Sequence, residues 1–313
     1  MAKLNFAAAL RFDSHRVLKA SFPNTTTGFR QLRRWLQSHC AGLVRVGVES
    51  TSTYADGVLE HLHEHGYCVC LLNPERTAFY ARSLGQRNKT DPADAVTIAA
   101  YVANHECTPW QPPPPEQKTL RELTRTRHQL SALATSLGNQ LKTATGAGRA
   151  ALEAVLQAVR KQIAELMRQI RAHLRQCPGL AASVAHLLTV KGIGLITAAI
   201  IVAEVPPITA KTDPRTICGW AGLTPRRWQS GQTEWRSRLS RKGNVYLRQA
   251  LYMPALVAKR FNPTLAAFAA TLKARGKTNG AILGALSHKM LRIAVGLLRS
   301  NCDFDPNWSP KKN

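Results

Sequence analysis

Four consecutive prolines, Pro112 to Pro115, constrain this chain more than any other feature. A proline has no backbone N–H to give to a helix or a sheet ladder and its φ is fixed, so a proline run forms a stiff extended spacer. Secondary structure has to finish before the tract and start again after it. The length suits two domains, and the tract predicts where the first one ends.

Before the tract, strands and helices alternate. Leu4 to Leu10 and Val17 to Phe22 read as two strands joined by a turn at Asp13-Ser14. Asn24-Thr25-Thr26-Thr27 offers N-caps to a helix that runs through Leu36. The β-branched run Leu43 to Glu49 predicts a buried strand, Tyr54 to His65 a helix stopped by Gly66, and Tyr67 to Leu72 a further strand. This order predicts an α/β sheet domain over 1–110.

The segment 111–180 reads as the proline linker followed by two long helices, with Gly146 and Gly148 turning the chain between them. In the second helix Leu152, Leu156, Val159, Ile163, Leu166, Ile170 and Leu174 alternate by fours and threes, the a/d spacing of a coiled coil. Such a seam closes either on the first helix of the same chain or on a second copy. The expectation is self-association, as a dimer or tetramer.

The segment 181–313 reads as mainly helical. Val190-Lys191-Gly192-Ile193-Gly194 ahead of the apolar stretch Ile196 to Val205 resembles a helix-hairpin-helix, in which a glycine turn aims backbone N–H groups at a DNA phosphate. A simple helix cap fits the same residues. From Leu223 to Arg248 the chain carries Arg226, Arg227, Arg236, Arg238, Arg241, Lys242 and Arg248 against Glu234 alone. Trp228, Trp235 and Tyr246 interleave with them, placing stacking surfaces beside phosphate-binding charges. A face that is merely solvated would mix the signs.

Charge gives the same reading. The net charge of +25 repels itself in a compact fold unless a polyanion neutralises it, so nucleic acid is the first partner to consider. No apolar run reaches the roughly 18 residues that span a bilayer, and the basic residues are not gathered on one amphipathic stretch, so no membrane partner is expected. Nothing at the start reads as a signal peptide. The seven cysteines include no C-x-x-C pair, which argues for reduced, mostly buried thiols in the cytoplasm. Cys68 and Cys70, two apart in a strand, are expected to share one face and to pack rather than bind metal.

Few carboxylates are placed for chemistry. Glu49 closes a buried strand, at the sheet edge where ligands bind in open α/β folds, and capping the next helix is its other reading. In Arg87-Asn88-Lys89-Thr90-Asp91-Pro92-Ala93-Asp94-Ala95, Pro92 suits the first turn of a helix, making Asp91 the N-cap and placing Asp94 one turn on. That gathers two carboxylates at a helix N-terminus, yet Asp-Pro-x-Asp is also an ordinary helix start.

Arg87 to Ala95, the strand end Val48-Glu49-Ser50-Thr51-Ser52-Thr53-Tyr54, Ala221-Gly222-Leu223-Thr224-Pro225-Arg226-Arg227 and Leu251-Tyr252-Met253-Pro254-Ala255 together resemble the bridge-RNA-guided transposases of insertion sequences, the IS110 family. The four motifs run in order over nearly the whole chain. The resemblance implies a ribonuclease-H-like (RuvC-like) DEDD domain at the N-terminus and a C-terminal serine transposase domain. It implies that Glu49, Asp91 and Asp94 are the second, third and fourth carboxylates of a Mg²⁺ site. It places the nucleophile on Ser230, with Ser237 and Ser240 less favoured; by its neighbours alone Ser230 reads as a turn residue. Arg87, Lys89 and Lys191, with the basic residues and Trp228 above, then contact nucleic acid. The implied partners are DNA and a structured guide (bridge) RNA. A metal-dependent endonuclease of the Holliday-junction type and an inactive, truncated nucleic-acid-binding protein are the alternatives.

The family's first Asp belongs to an opening strand of the type Gly-Ile-Asp-x-Ala-Lys, and Met1-Ala2-Lys3 stands here where x-Ala-Lys falls. A start codon assigned too late predicts a short apolar strand ending in Asp ahead of Met1, whereas a decayed element predicts none. The first domain is accordingly expected to show a sheet short of one strand or a disturbed edge.

Overall fold

The computed structural model describes residues 4–13, 16–50, 52–86, 90–226, 229–230, 233–234 and 238–305, with backbone alone at 52, 53, 229, 230, 233 and 234. The chain divides into two compact units, Met1–Pro112 and Pro113–Asn313, and the boundary falls inside the proline tract.

The first unit is built from strands and helices in alternation. β1 (Asn5–Arg11) and β2 (Val17–Pro23) form an antiparallel hairpin, with Asn5 opposite Pro23 and Arg11 opposite Val17. α1 (Thr26–His39) is capped by Thr25, whose hydroxyl accepts from Gly28 N–H at 3.3 Å. β3 (Arg45–Glu49) is followed by a 3-10 turn and α2 (Asp56–Glu64), and β4 (Cys68–Leu72) then pairs in parallel with β3. α3 (Pro74–Ser83), capped by Asn73, has no counterpart in the sequence reading. α4 (Asp91–Asn104) follows, capped by Thr90, whose Oγ1 accepts from Ala93 N–H. Asp91 is therefore the first helical residue rather than the cap. A hydroxyl was available one residue earlier and Pro92 tolerates the second helical position.

Alternation along the strands decides what this unit buries. Phe6 and Leu10 of β1, Phe22 of β2 and Val48 of β3 share one core with Phe29, Leu32 and Leu36 of α1 and Val58, Leu59 and Leu62 of α2. On the opposite face α4 lies against β3 at Gly47, where any Cβ would collide with Val102 and Ile98. The absence of a side chain is what lets this helix approach the sheet. Among the described residues the strands do not make one sheet: β1–β2 and β3–β4 are separate two-stranded pieces.

The second unit is helical. α5 (Pro115–Gln140) and α6 (Gly146–Gln176) form a hairpin, and Thr145 rather than a glycine flanks the second helix, with Gly148 inside its first turn. The a/d seam of α6 is used within the chain. Leu152, Leu156, Val159 and Ile163 pack with Leu130, Ala134 and Leu137 of α5 and with Leu141 just after it, and Ile170 and Leu174 join the core of the unit together with Leu120. The periodicity was that of a partner helix, and the partner is α5. α7 (Pro178–Leu188), α8 (Leu195–Glu204) and α9 (Pro214–Trp220) lead to four two-residue strands, β5 (Pro225–Arg226), β6 (Gln229–Ser230), β7 (Thr233–Glu234) and β8 (Arg238–Leu239). α10 (Val245–Ala250), α11 (Tyr252–Phe261), α12 (Pro263–Ala274) and α13 (Asn279–Ser300) complete the unit. By length and composition α13 is apolar enough to cross a membrane, but Ile282, Leu286, Met290, Ala294 and Val295 on it are fully buried in this unit's core.

α5 also satisfies the end of α8, whose last carbonyls have no partner within their own helix. Gln117 donates to Val202 O and Val205 O at 2.8 and 3.0 Å, and Arg121 donates to Ala203 O at 2.9 Å. Beside them, Glu204 is 2% exposed and accepts two bonds from Arg125, at 2.6 and 2.8 Å, and one from Asn244 at 2.7 Å. The Arg125 guanidinium lies 4.7 Å over the Tyr246 ring. Removing one member of a buried charged pair strands the other, which costs about 3–5 kcal/mol. Glu204→Ala is expected to lower the unfolding free energy by about that amount in urea titrations; a loss near zero would show that Arg125 relaxes into solvent at no cost.

All seven cysteines are free. Cys70 and Cys218 are buried, and burial pushes each thiol up to about 12, so both behave as inert packing groups. Cys68 and Cys302 are exposed, so fewer thiols are buried than the sequence suggested.

Candidate functional site

Within the first unit, Glu49 at the C-terminal end of β3 and Asp91 and Asp94 in the first turn of α4 line the same cavity, of about 610 Å³. Glu49 and Asp94 are half-buried and Asp91 is exposed. The strand and the helix are held together by the close approach at Gly47, two residues before Glu49. Both aspartates sit where the positive end of a helix dipole favours carboxylates. Three hard oxygen donors on one cavity suit a divalent cation of the Mg²⁺ kind. They do not close to metal-sharing distance: among the described residues, the trio with ligand atoms all within 4.8 Å is instead His61, Glu64 and His65 on and just after α2.

Sequence reasoning missed that histidine group, although its i, i+3, i+4 spacing on one helix face was visible. His65 Nδ1 bonds His61 O at 2.7 Å, and the two rings lie 4.4 Å apart. Burial, the neighbouring His65 and the charge of Arg33 hold the His61 pKa below its ordinary value. Imidazole nitrogens suit a transition metal better than Mg²⁺, and the arginines Arg30 and Arg33 beside His61 oppose any cation there.

In the second unit the basic stretch forms a two-stranded arm. β5 pairs with β8, Arg226 opposite Arg238, and β6 pairs with β7, Ser230 opposite Thr233. The register shifts by one between these pairs, so the returning limb carries one residue more. Ser230 stands three residues before its own partner. The base is knotted tightly. Ser240 N–H donates to Thr224 O, Arg241 N–H to Gly222 O and Asn244 N–H to Trp220 O, at 2.9 to 3.1 Å. Gly243, at φ 127, lies so close to Trp220 O that no Cβ fits.

Of the residues assigned to nucleic acid, Lys191, Arg238, Arg241 and Lys242 are exposed and Arg226 is half-buried. Arg248 is partly structural: its Nη1 donates to Ala221 O at 3.1 Å, and burial, then the charge of Arg241, lowers its pKa. Arg87, Lys89, Arg227, Trp228, Trp235, Arg236 and Ser237 lie outside the described residues, as does the Ser230 side chain. Lys191 occupies the turn between α7 and α8, where Gly192, at φ 110, packs against Pro254 and Ala258 of α11 and Asn262 donates to Lys191 O. If these cations bind phosphate, each contact releases a counterion and contributes about −0.9 to the log–log salt slope on duplex DNA. Replacing Arg226 and Arg227 together by alanine is expected to make the slope shallower by roughly one to two units. An unchanged slope would assign both arginines to contacts inside the protein.

Comparison with known proteins fixes the class. Residues 1–145 match the family profile of the DEDD-type IS110 transposases, and residues 184–270 match the profile "Transposase IS116/IS110/IS902 family". The chain is a transposase. It belongs to the IS116/IS110/IS902 family, whose two profiles take in most of its length in order. A pilin gene-inverting protein of Moraxella bovis is 28% identical over 311 residues, covering 97% of this chain and 96% of the relative. A "Probable family 20 transposase" of Pseudomonas aeruginosa is 28% identical over 224 residues, 61% of this chain and 64% of its own. A 43.6 kDa protein of insertion element IS110 from Streptomyces coelicolor is 27% identical over 154 residues, 49% of this chain and 37% of its own.

Proposed function

We propose that this transposase cuts and rejoins DNA through Ser230, that Glu49, Asp91 and Asp94 bind Mg²⁺, and that a structured RNA encoded by the element selects the sites. The observation that carries the metal reading is the cavity that Glu49, Asp91 and Asp94 all line, although Glu49 stands 42 and 45 residues before the aspartates in the sequence. On the same reading the first unit is RuvC-like. The likeness to proteins named for inverting a pilin gene supports recombination, in which every broken strand is rejoined.

In the cutting step the Ser230 oxygen bonds to phosphorus while the bond from phosphorus to one deoxyribose oxygen breaks. The serine proton goes to the departing sugar oxygen, leaving a free hydroxyl end and a phosphoserine link. Rejoining reverses the exchange with the hydroxyl of another strand. Because the link keeps the phosphodiester energy, no nucleotide cofactor is needed. Glu49, Asp91 and Asp94 would hold a divalent ion, which would supply positive charge to phosphate oxygens, and guanidinium groups of the basic arm stabilise charge where it develops. Glycine at 231 leaves backbone free to approach DNA. DNA that stays attached to the chain after denaturation is the test of this reading.

A further inference from the structure

The last turn of α2 and the residue after it gather three groups that recombination leaves unused. His61, Glu64 and His65 stand at i, i+3 and i+4, the spacing that places side chains on one face of a helix. One donor atom from each lies within 4.8 Å of the other two. His61 is half-buried, whereas Glu64 and His65 are exposed. None of the three lines the cavity of Glu49, Asp91 and Asp94.

The hydrogen bonds of the group leave nitrogen lone pairs open. His65 Nδ1 lies 2.7 Å from His61 O. A carbonyl oxygen only accepts, so Nδ1 carries the proton and Nε2 of the neutral ring is a free base. A ring N–H anchored on a backbone carbonyl is the usual support of a metal-binding imidazole, because it fixes the tautomer and the orientation. His61 Nε2 is buried and has no hydrogen-bond partner among the described residues. Buried polar atoms are nearly always paired, and a bond from this nitrogen to a metal removes the deficit. The two rings lie 4.4 Å apart, close enough to serve one ion.

Two imidazoles and a carboxylate are a zinc-type donor set. Zn²⁺ takes nitrogen and carboxylate oxygen at about 2.0–2.2 Å in a tetrahedron, which sets its ligand atoms roughly 3.4 Å apart. Rotation of the exposed Glu64 and His65 side chains closes the remaining distance. Arg30 and Arg33 act against a positive ion near His61, and Glu64 acts for it. A proton is also such an ion, and metal and proton compete for the same lone pair. The arginines therefore discriminate most against a hard ion held by charge alone, and least against one bonded through nitrogen.

We propose that His61, Glu64 and His65 form a binding site for a divalent transition ion of the Zn²⁺ class, with water in the fourth position. The ion clamps the last turn of α2, just ahead of the stop at Gly66. Because α2 carries Val58, Leu59 and Leu62 into the core of the first unit, an ion held only by the folded turn stabilises that unit. The inference is independent of the recombinase reading.

The test is calorimetric titration of Zn²⁺ into the full chain, without a polyhistidine tag and in excess Mg²⁺. His61→Gln, Glu64→Gln and His65→Gln each remove one ligand. His63→Gln is the control: it stands on the same turn, but its ring meets Trp110 edge-on at 5.8 Å. The original chain and the control are expected to bind Zn²⁺ with the same affinity and to unfold at a higher temperature in its presence. Each histidine variant at 61 or 65 is expected to bind at least about 100-fold more weakly, since even groups that only orient a metal ligand are worth about 10–100-fold. Glu64 and His65 are exposed, so their variants keep the test decisive if His61→Gln fails to fold. No saturable binding below about 1 mM would overturn the proposal. Binding unchanged in both Glu64→Gln and His65→Gln, or weakened equally in His63→Gln, would overturn it as well.

Discussion

Ser230→Ala is expected to retain DNA and RNA binding and to lose the covalent protein–DNA adduct and every recombinant product, a fall of at least about 10³-fold. The substitution removes one oxygen from an arm whose fold depends on backbone pairing, Ser230 opposite Thr233 and Arg226 opposite Arg238. The base of the arm is held by the bonds of Arg241, Asn244 and Ser240 to Gly222, Trp220 and Thr224. None of these contacts needs the hydroxyl, so stability and binding are expected to change little. Full recombination by the variant would move the nucleophile elsewhere, with Ser240, whose N–H ties it to Thr224 O, and Ser237 next in line.

The second large effect concerns the carboxylates. Glu49→Gln, Asp91→Asn and Asp94→Asn keep shape and remove charge. Each is expected to slow DNA cleavage by at least about 10²-fold at saturating Mg²⁺ while leaving the salt slope of binding unchanged. Magnitude separates this from the plain reading of Asp-Pro-x-Asp as a helix start. There the loss of an acidic group from the first turn of α4 costs only about 0.3–1 kcal/mol of stability, with no reason for cleavage to fail. A small stability change with intact cleavage would leave the aspartates a purely structural role. Parallel assays of unfolding and cleavage decide it.

Much of the fold was legible because periodicity and caps act locally. The strands of the first unit, the helix stop at Gly66 (φ 80) and the strand–helix alternation follow from branching, capping hydroxyls and glycine conformation. What escaped was set by tertiary contact. α3 is short and only Thr77 on it is buried, so no apolar stripe announced it. The seam of α6 carried the right spacing, but spacing does not say whether the complementary helix lies in the same chain, and here α5 covers it. Asp91 missed the cap because Thr90 was better placed by one residue. Single-strand periodicity also does not say which strands pair, and among the described residues β1–β2 and β3–β4 are two separate pieces.

The site was legible in unequal parts. The element ends left Glu49, Asp91 and Asp94 open between capping and chemistry, the family resemblance singled them out, and their common cavity depends on Gly47, which no spacing rule connects to them. The basic stretch was visible as composition, whereas its shape was not. Alternating strands of two residues are too short to leave a period. Arg248 looked like its neighbours in sequence, yet it braces Ala221 from inside. The group of His61, Glu64 and His65 lay in plain spacing and went unread because histidine on a helix face is ordinary.

One measurement addresses the central claim directly. The chain is incubated with DNA carrying the element's ends, the element's RNA and Mg²⁺, then denatured, digested with protease and sequenced by mass spectrometry. The account predicts a nucleotide joined through phosphate to the peptide containing Trp228-Gln229-Ser230-Gly231, with the link on Ser230. Nicked DNA without any attached peptide would contradict it and identify a water-attacking, metal-dependent nuclease in its place.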